Sequence, residues 1–150
     1  MDNNINNMIS ISMPKGCRYM SDYENLLNGE LPLDRKFILN KTVTGCGGTS
    51  LFLNSDFPVV IISPRLQVLK EKHRQYPDSF HFHVPLCSNR GQAIIQMMRD
   101  LDSYLNYHHG STPFTPLPMR PAKILVTLDS SDKVLGVLRG NNMLDSCLFV

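Results

Sequence analysis

The sequence predicts an α/β fold in which a mainly parallel β-sheet is covered by helices on both faces. Two short runs, Val59–Ile62 and Ile124–Val126, are continuously apolar and rich in β-branched residues, as is typical of strands buried on both faces. Stretches with the apolar spacing of a helix alternate with these runs along the chain. This alternation favours parallel strands that are joined by helical crossovers.

Length and composition are those of one folded domain. The chain has 150 residues, of which 42% are hydrophobic and 19% charged, with a net charge of +2. These values exclude a coiled coil, a collagen-like repeat and a highly charged disordered tail, and so small a charge does not by itself indicate a nucleic-acid partner. The longest apolar runs are far shorter than the ~20 residues that span a bilayer, and no signal-peptide pattern opens the chain. We therefore expect a soluble, cytoplasmic protein without a membrane partner.

The cysteines and histidines form no recognisable metal signature. The cysteines are scattered, without a Cys-x-x-C pair, at positions 17, 46, 87 and 147, so reduced thiols are expected. A metal site could draw on Cys87, on the alternating His81 and His83, and on the His108–His109 pair. These spacings match no zinc motif, which favours surface or hydrogen-bonded histidines.

The first part of the chain, residues 1–28, is predicted to be a partly ordered lead-in, and residues 29–150 form the folded domain. Within the lead-in, Tyr19–Leu27 has the spacing of a short helix. Lys36–Leu39 has the pattern of a first strand, which runs into a glycine-rich turn. A short helix, Thr49–Leu53, is predicted to follow that turn.

The remaining elements alternate between strand and helix. Pro64 ends the strand at Val59–Ile62 and is predicted to start a helix. Phe80–Val84 is predicted to be a weaker strand, and apolar spacing predicts the clearest helix over Gln92–Leu105. A proline-rich loop is expected over Tyr107–Pro121. The last elements are the strand Lys123–Thr127, the helix Val134–Leu138 capped by Asp129–Ser131, and the strand Cys147–Val150.

The most informative segment is Phe37–Ser50, with the sequence Phe-Ile-Leu-Asn-Lys-Thr-Val-Thr-Gly-Cys-Gly-Gly-Thr-Ser. A predicted strand runs into a glycine-rich turn, and a Thr-Ser pair then opens a helix. This order is typical of a phosphate-binding loop, because glycines let successive backbone N–H groups turn inward and the helix N-terminus adds its positive dipole end. A hydroxyl placed after such a loop can ligate magnesium.

This segment resembles the first nucleotide-binding motif of superfamily 1 and 2 helicases, Thr-Gly-x-Gly-Lys-Thr. Thr44–Gly47 match the start of the motif and Thr49 occupies its hydroxyl position, whereas Gly48 stands where the family has lysine. The whole stretch is more specifically similar to helicase-like P-loop proteins of Bacteroides-type mobile elements and phages, in which a lysine lies earlier in the motif. In this chain that lysine is Lys41.

Two later segments resemble further helicase motifs in the expected order. Val60–Pro64, followed by a basic helix, is similar to the motif that touches the nucleic-acid backbone, and Lys123–Ser130 is similar to a later strand-to-helix motif on the same surface. Leu148–Val150 corresponds to the strand that precedes the magnesium-binding Asp-Glu pair, and that pair does not follow in this sequence. The residues at which the resemblance implies nucleic-acid contact are Ser63, Pro64, Arg65, Thr127, Asp129 and Ser130.

The resemblance implies a RecA-like P-loop NTPase domain, specifically the first part of a helicase motor domain. ATP would lie across the glycine-rich loop with magnesium on Thr49, and DNA or RNA would be the partner. No catalytic residue is assigned, because the usual lysine and the Asp-Glu pair supply much of the charge stabilisation and both are missing. We therefore expect weak nucleotide binding without measurable ATP turnover. The residues assigned to the nucleotide are Lys41, Thr44, Gly45, Cys46, Gly47, Gly48, Thr49 and Ser50.

Other functions are compatible with the same residues. The chain could be a nucleotide- or nucleic-acid-binding module that never hydrolyses its ligand, or a truncated fragment without an independent function. An enzyme with Cys46 as its nucleophile is a third alternative, although no His–Asp partner stands at a recognisable spacing. Lys41 could simply be solvated. Thr49, Ser50 and Asp129 could serve only as helix N-caps.

Overall fold

The computed structural model describes residues 10–33, 45–109 and 120–150. The chain divides into two compact units, Met1–Leu51 and Phe52–Val150. The predicted strand Lys36–Leu39 lies outside the described residues, and so do Lys41 and Thr44 of the predicted nucleotide site.

In the first unit, the helix predicted over Tyr19–Leu27 is wrong in form. A 3-10 turn, Met20–Asp22, is followed by a single π-helical turn, Leu26–Glu30. The Asp22 carboxylate accepts the backbone N–H groups of Arg18 and Tyr19, at 3.1 and 2.7 Å, and so ties the chain into a turn. The N–H of the residue after Glu30 bonds back to the Leu26 carbonyl at 2.9 Å, which closes the wider π-type ring.

The second unit contains a four-stranded sheet in which every described pairing is parallel, as the sequence predicts. Its strands are β1 (Val59–Ser63), β2 (Phe80–Phe82), β3 (Lys123–Thr127) and β4 (Leu148–Phe149), in the order β2-β3-β1-β4. The central pair, β1 and β3, is in register from Val59–Lys123 to Ser63–Thr127.

Four α-helices accompany the strands in the described chain: α1 (Gly48–Leu53), α2 (Leu66–Gln75), α3 (Arg90–His109) and α4 (Ser131–Gly140). Neighbouring residues of β2 show how they are layered, since successive side chains of a strand point to opposite faces. The Phe80 ring lies 5.3 Å from Tyr104 of α3, whereas the His81 ring lies 5.7 Å from His73 of α2. Helix α2 therefore covers one face and α3 the other, where α3 also packs against α4. No helix in the described parts of the chain is long and apolar enough to cross a membrane.

The main core lies between the sheet and the α3–α4 layer. Its members are fully or almost fully buried, and they include Val60, Phe82, Leu101, Leu105, Ile124, Val126, Val134 and Leu138. Burying a side chain of this size stabilises a fold by roughly 1.5–3 kcal/mol relative to leaving it exposed. This layer therefore carries much of the unit's stability.

The three crossovers between strands have the same hand. The connection from β1 to β2 passes over β3 in one direction, with α2 on one face. The connections from β2 to β3 and from β3 to β4 run in the opposite direction, with α3 and α4 on the other face. Reversing both the direction and the face preserves the hand, as expected for βαβ units, which are almost always right-handed.

The boundaries of α3 differ from the prediction, because no residue at either end signals where the helix starts or stops. Helix α3 is longer at both ends than the predicted Gln92–Leu105, and it includes three residues that were expected in the following loop. Ile95 of this helix is 52% exposed, whereas Met97 and Met98 pack against the core. Because both ends of α3 extend into polar sequence, apolar spacing alone could not locate them.

The cap predicted at Asp129–Ser131 is also wrong. Leu128–Ser130 form a 3-10 turn that leads into α4, and Ser130, at the N-cap position, makes no side-chain capping bond. The Ser131 hydroxyl instead donates to the Leu128 carbonyl at 2.7 Å. Helix α2 likewise begins at Leu66 rather than at Pro64.

A lysine at the start of β3 fastens the end of α1 and the turn that leads into β1. Lys123 Nζ lies 3.1 Å from the Phe52 carbonyl, 2.6 Å from the Phe57 carbonyl, and 2.6 and 3.0 Å from the carbonyl and hydroxyl oxygens of Ser55. Burial lowers the pKa of Lys123 to about 8, and the Asp56 carboxylate acts in the opposite direction. The group is therefore still protonated at neutral pH and donates to carbonyls that the strands do not pair.

Replacing this lysine by methionine, Lys123→Met, keeps the aliphatic stem and removes the three ammonium hydrogens that the four oxygen atoms share. We expect a loss of about 2 kcal/mol in the free energy of unfolding, since bonds to a charged group contribute about 1.5–3 kcal/mol. Lys70→Met, at an exposed position of α2, removes the same charge and should change it by less than about 0.5 kcal/mol. Urea denaturation at pH 7 measures both. Equal effects of the two substitutions would show that these contacts do not fasten the turn.

Candidate functional site

The described part of the glycine motif is a tight turn that opens a helix. Gly45 and Gly47 adopt the left-handed region, with φ of +71° and +80°, where other residues are strained. Helix α1 begins at Gly48, which is buried, and Thr49 and Ser50 lie in its first turn, half-buried. The six loop residues predicted to meet the nucleotide are thus contiguous in one turn. Lys41 and Thr44, assigned to the same site, lie outside the described residues.

Packing within the first unit also requires a glycine at position 47. A Cβ atom built there would lie 2.9 Å from the Cβ atom of Tyr19 and 3.1 Å from the Ser21 hydroxyl. The Met20 N–H donates to the Cys46 carbonyl at 2.7 Å, which holds this segment against the turn. The turn therefore has a structural explanation that is independent of phosphate.

The environment of Cys46 does not favour the alternative in which it is a nucleophile. Its sulfur lies 3.4 Å from the thioether sulfur of Met20, which cannot remove a proton. Activation of a thiol needs a base or a positive charge beside it, and the described contacts of Cys46 supply neither.

We expect Gly47→Ala to destabilise the protein by about 1–2 kcal/mol, the usual penalty of the left-handed region for a residue with a Cβ atom, with the close approach to Tyr19 adding to it. Gly136→Ala is the matched control, since this helical glycine has open space around it and alanine should stabilise α4 by about 0.5–1 kcal/mol. Thermal unfolding of both variants measures the two opposite shifts. A stabilising Gly47→Ala would contradict the described turn.

The residues assigned to nucleic acid come together in the second unit. Ser63 and Thr127 are register partners at the last positions of β1 and β3, and parallel strands end at the same edge of a sheet. Pro64 and Arg65 continue from one strand, and Asp129 and Ser130 follow the other after a single intervening residue. All six therefore lie along one short stretch of the carboxyl edge.

This stretch of the edge is a topological switch point. The chain leaves β1 towards α2 on one face of the sheet and leaves β3 towards α4 on the other. Open α/β sheets bind ligands where adjacent loops part in this way, in a crevice at the carboxyl edge. We refer to the part of this edge formed by 63–65 and 127–130 as the carboxyl-edge crevice.

The carboxyl-edge crevice is polar and nearly neutral. Arg65 and Asp129 are exposed and carry opposite charges, and Ser63, Thr127 and Ser130 are half-buried hydroxyl residues. The Ser63 hydroxyl accepts the Arg65 N–H at 3.2 Å, which shapes the turn after β1. Hydroxyls and a single guanidinium can contact phosphate oxygens, but so little charge supplies only weak electrostatic attraction.

One residue of the crevice was missed by reasoning from the sequence. Leu128 lies between Thr127 and Asp129 and is 61% exposed, whereas Leu125 and Val126 of β3 are buried. In the sequence, Leu128 looks like a further apolar residue of β3, because hydropathy does not show where a strand ends. Its position between two assigned residues was the available hint.

Strand β4 also ends at this edge. The Ile62 N–H donates to the Val150 carbonyl at 2.7 Å, and the Val150 N–H donates to the Val60 carbonyl at 2.9 Å. The strand predicted over Cys147–Val150 is thus present as a short edge strand, and its last residue lies beside the end of β1.

The histidines are separated by the sheet. His81 and His83 share one face, as predicted, with ring centroids 5.6 Å apart, whereas His108 and His109 lie on α3. His108 bonds the Arg120 carbonyl at 2.6 Å, and His109 Nε2 accepts the Ala122 N–H at 3.4 Å. Within residues 10–33, 45–109 and 120–150, no group of three or more His, Cys, Asp or Glu side chains is arranged to hold a metal ion.

A separate concavity of about 400 Å³ lies between α3 and α4. Ile95, Met98 and Val137 line it, and its polar rim includes an Asn141 amide that donates to Asp102 at 2.7 Å. None of the residues assigned from the sequence takes part in it.

Comparison of the chain with protein-family models, with curated proteins and with solved structures finds no match. The resemblance to helicases therefore depends on the motifs quoted from the sequence. The function of this chain has to be argued from its own residues.

Proposed function

We propose that the chain is a nucleotide-binding P-loop domain of the helicase-like type, which contacts nucleic acid at the carboxyl-edge crevice and has little or no ATP turnover by itself. The observation that carries the proposal is the convergence of six residues, chosen from two distant sequence segments, on one switch point of a parallel sheet. Ligands of open α/β sheets bind at such points.

The nucleotide part of the proposal draws on the turn at Gly45–Ser50. Thr49, in the first turn of α1, is the residue that would hold magnesium on the ATP phosphates. Gly48 replaces the lysine that reaches the β- and γ-phosphates in such loops, so binding should be weak. Lys41 is the proposed substitute for that lysine.

A second candidate function is a nucleic-acid-binding module without a nucleotide. It is favoured by the fit of Gly47 against Tyr19 and Ser21, which explains the glycine turn without any phosphate. Under this alternative the carboxyl-edge crevice works by itself and ATP has no effect on it.

Nucleic-acid binding is tested by fluorescence anisotropy of the full chain with labelled 20-nucleotide DNA and RNA strands. Arg65→Ala should weaken binding about five- to tenfold and lower the salt dependence by about one phosphate contact. Arg139→Ala is the matched control, because this arginine is exposed near the opposite end of α4. Absence of binding by the wild-type chain, or equal losses in both variants, would overturn the assignment of the crevice.

Nucleotide binding is tested by calorimetry with Mg²⁺ and either ATP or GTP. We expect a dissociation constant weaker than about 100 μM, lost in Thr49→Ala and Lys41→Ala and kept in Lys70→Ala. Turnover of ATP by this 150-residue chain should stay at background, because Gly48 stands where the phosphate-binding lysine would be. Nucleic-acid binding without any nucleotide signal would select the second candidate function. Robust turnover would overturn the account of the missing lysine.

A further inference from the structure

Three histidines meet where α2 crosses the edge strand β2. His81 lies at the centre, with the rings of His73 and His83 at 5.7 and 5.6 Å from its own. His81 Nε2 is buried, and none of the residues that the structure describes gives it a hydrogen-bond partner. Buried polar atoms without a partner are rare in folded proteins and call for an explanation.

The hydrogen bonds of Ser79 fix the state of one of these rings. The Ser79 hydroxyl lies 2.6 Å from the Tyr76 carbonyl, which can only accept, so its single hydrogen is used there. His73 Nδ1, 3.1 Å from the same oxygen, must therefore donate its own hydrogen to Ser79. A proton taken up by this ring would have to enter at Nε2.

In the described part of the chain, no carboxylate acts on His81 to compensate a proton there. The charges that act on His81 are cationic, those of His73, His83 and Lys70, and together with burial they lower the pKa of His81 to about 4. From β3, the residue in register with His81 is the apolar Leu125. On α2, the Glu71 carboxylate is engaged by Arg74 and Gln75 at 2.9 Å each.

Helix α2 buries fewer side chains than the other long helices, although it packs against three strands. Leu69 is its one fully buried side chain, whereas α3 buries Leu101 and Leu105 and α4 buries three residues. The contact of α2 with β2 includes the ring pair His73–His81.

We propose that the contact between α2 and β2 is an acid-labile latch, in which protonation of His81 within the His73–His81–His83 cluster favours a form with α2 released from the sheet, while the α3–α4 layer stays packed. The released form binds the proton that the packed form excludes. With a pKa of about 4 in the packed form and about 6.5 in the released one, release becomes easier as the pH falls from 6.5 towards 4.

The expected size of the pH effect follows from the pKa values of His81 in the packed and released forms. A complete shift would favour release at pH 5 by roughly thirtyfold. Because His81 is only half-buried, we expect about tenfold between pH 7 and pH 5. The latch does not depend on the proposed function, although Arg65 stands directly before α2 and would move with it.

The experiment uses NMR titration of the histidine rings and amide hydrogen exchange on the full chain, corrected for intrinsic exchange rates. His81 should titrate with a pKa of about 4. At pH 7, the amides of α2 should open more readily than those of α4. Lowering the pH from 7 to 5 should make the opening of the α2 amides about tenfold more frequent. In His81→Phe, which fills the space without titrating, this pH response should vanish, and in His108→Gln it should remain.

Three results would overturn the latch. One is titration of His81 near 6.5. Another is identical protection of α2 and α4 at every pH, since release would then require global unfolding. The third is an unchanged response in His81→Phe. If that variant does not fold, the titration and the exchange data of the wild-type chain decide by themselves.

Discussion

The parallel pairing of β1 with β3 is the constraint on which the rest of the second unit depends. Both strands are buried on both faces over their middle residues, Val60–Ile61 and Ile124–Val126. A strand pair of this kind is stable only when helices cover each side. Parallel neighbours also cannot be joined by a tight turn, so the chain must cross over the sheet between them. The layers, the crossovers and the shared carboxyl edge all follow from this one pairing.

The same pairing explains why chemistry is to be sought at the ends of the strands. The strand interiors are filled with aliphatic side chains and leave no room for a ligand. Polar residues first become accessible after Ser63 and Thr127, where the backbone leaves the sheet in two directions. The glycine turn in the first unit is constrained in a different way, by the contact of Gly47 with Tyr19. A phosphate-binding loop and a tightly packed turn therefore demand the same residue at this position.

Most of the sheet could be predicted from the sequence, because continuous apolar runs such as Val59–Ile62 have few other uses. The parallel arrangement followed from the alternation of those runs with helices. Capping could not be predicted, since Leu128–Ser130 form a 3-10 turn and the Ser131 hydroxyl bonds back to Leu128. Several local hydrogen-bond patterns are open to Ser and Asp residues. The contacts of Lys123 could not be predicted either. The oxygen atoms that accept from it lie about seventy positions away in sequence, and every residue has a backbone carbonyl, so no residue pattern indicates them. The histidine cluster was half visible: the alternation of His81 and His83 was seen, and the contribution of His73 required the packing of α2.

The position of β1 between partners that come later in the chain has a consequence for synthesis. Its neighbours β3 and β4 begin at Lys123 and Leu148. Both edges of β1 therefore stay unpaired until these later segments have been synthesised. At the usual rate of translation, about 5–20 residues per second, the edge that β4 covers stays bare for roughly 4 to 18 seconds. An apolar strand with unpaired N–H and C=O groups is a template for aggregation. The nascent chain is therefore most in need of a chaperone after Ser63 has emerged and before β3 is available to pair with it.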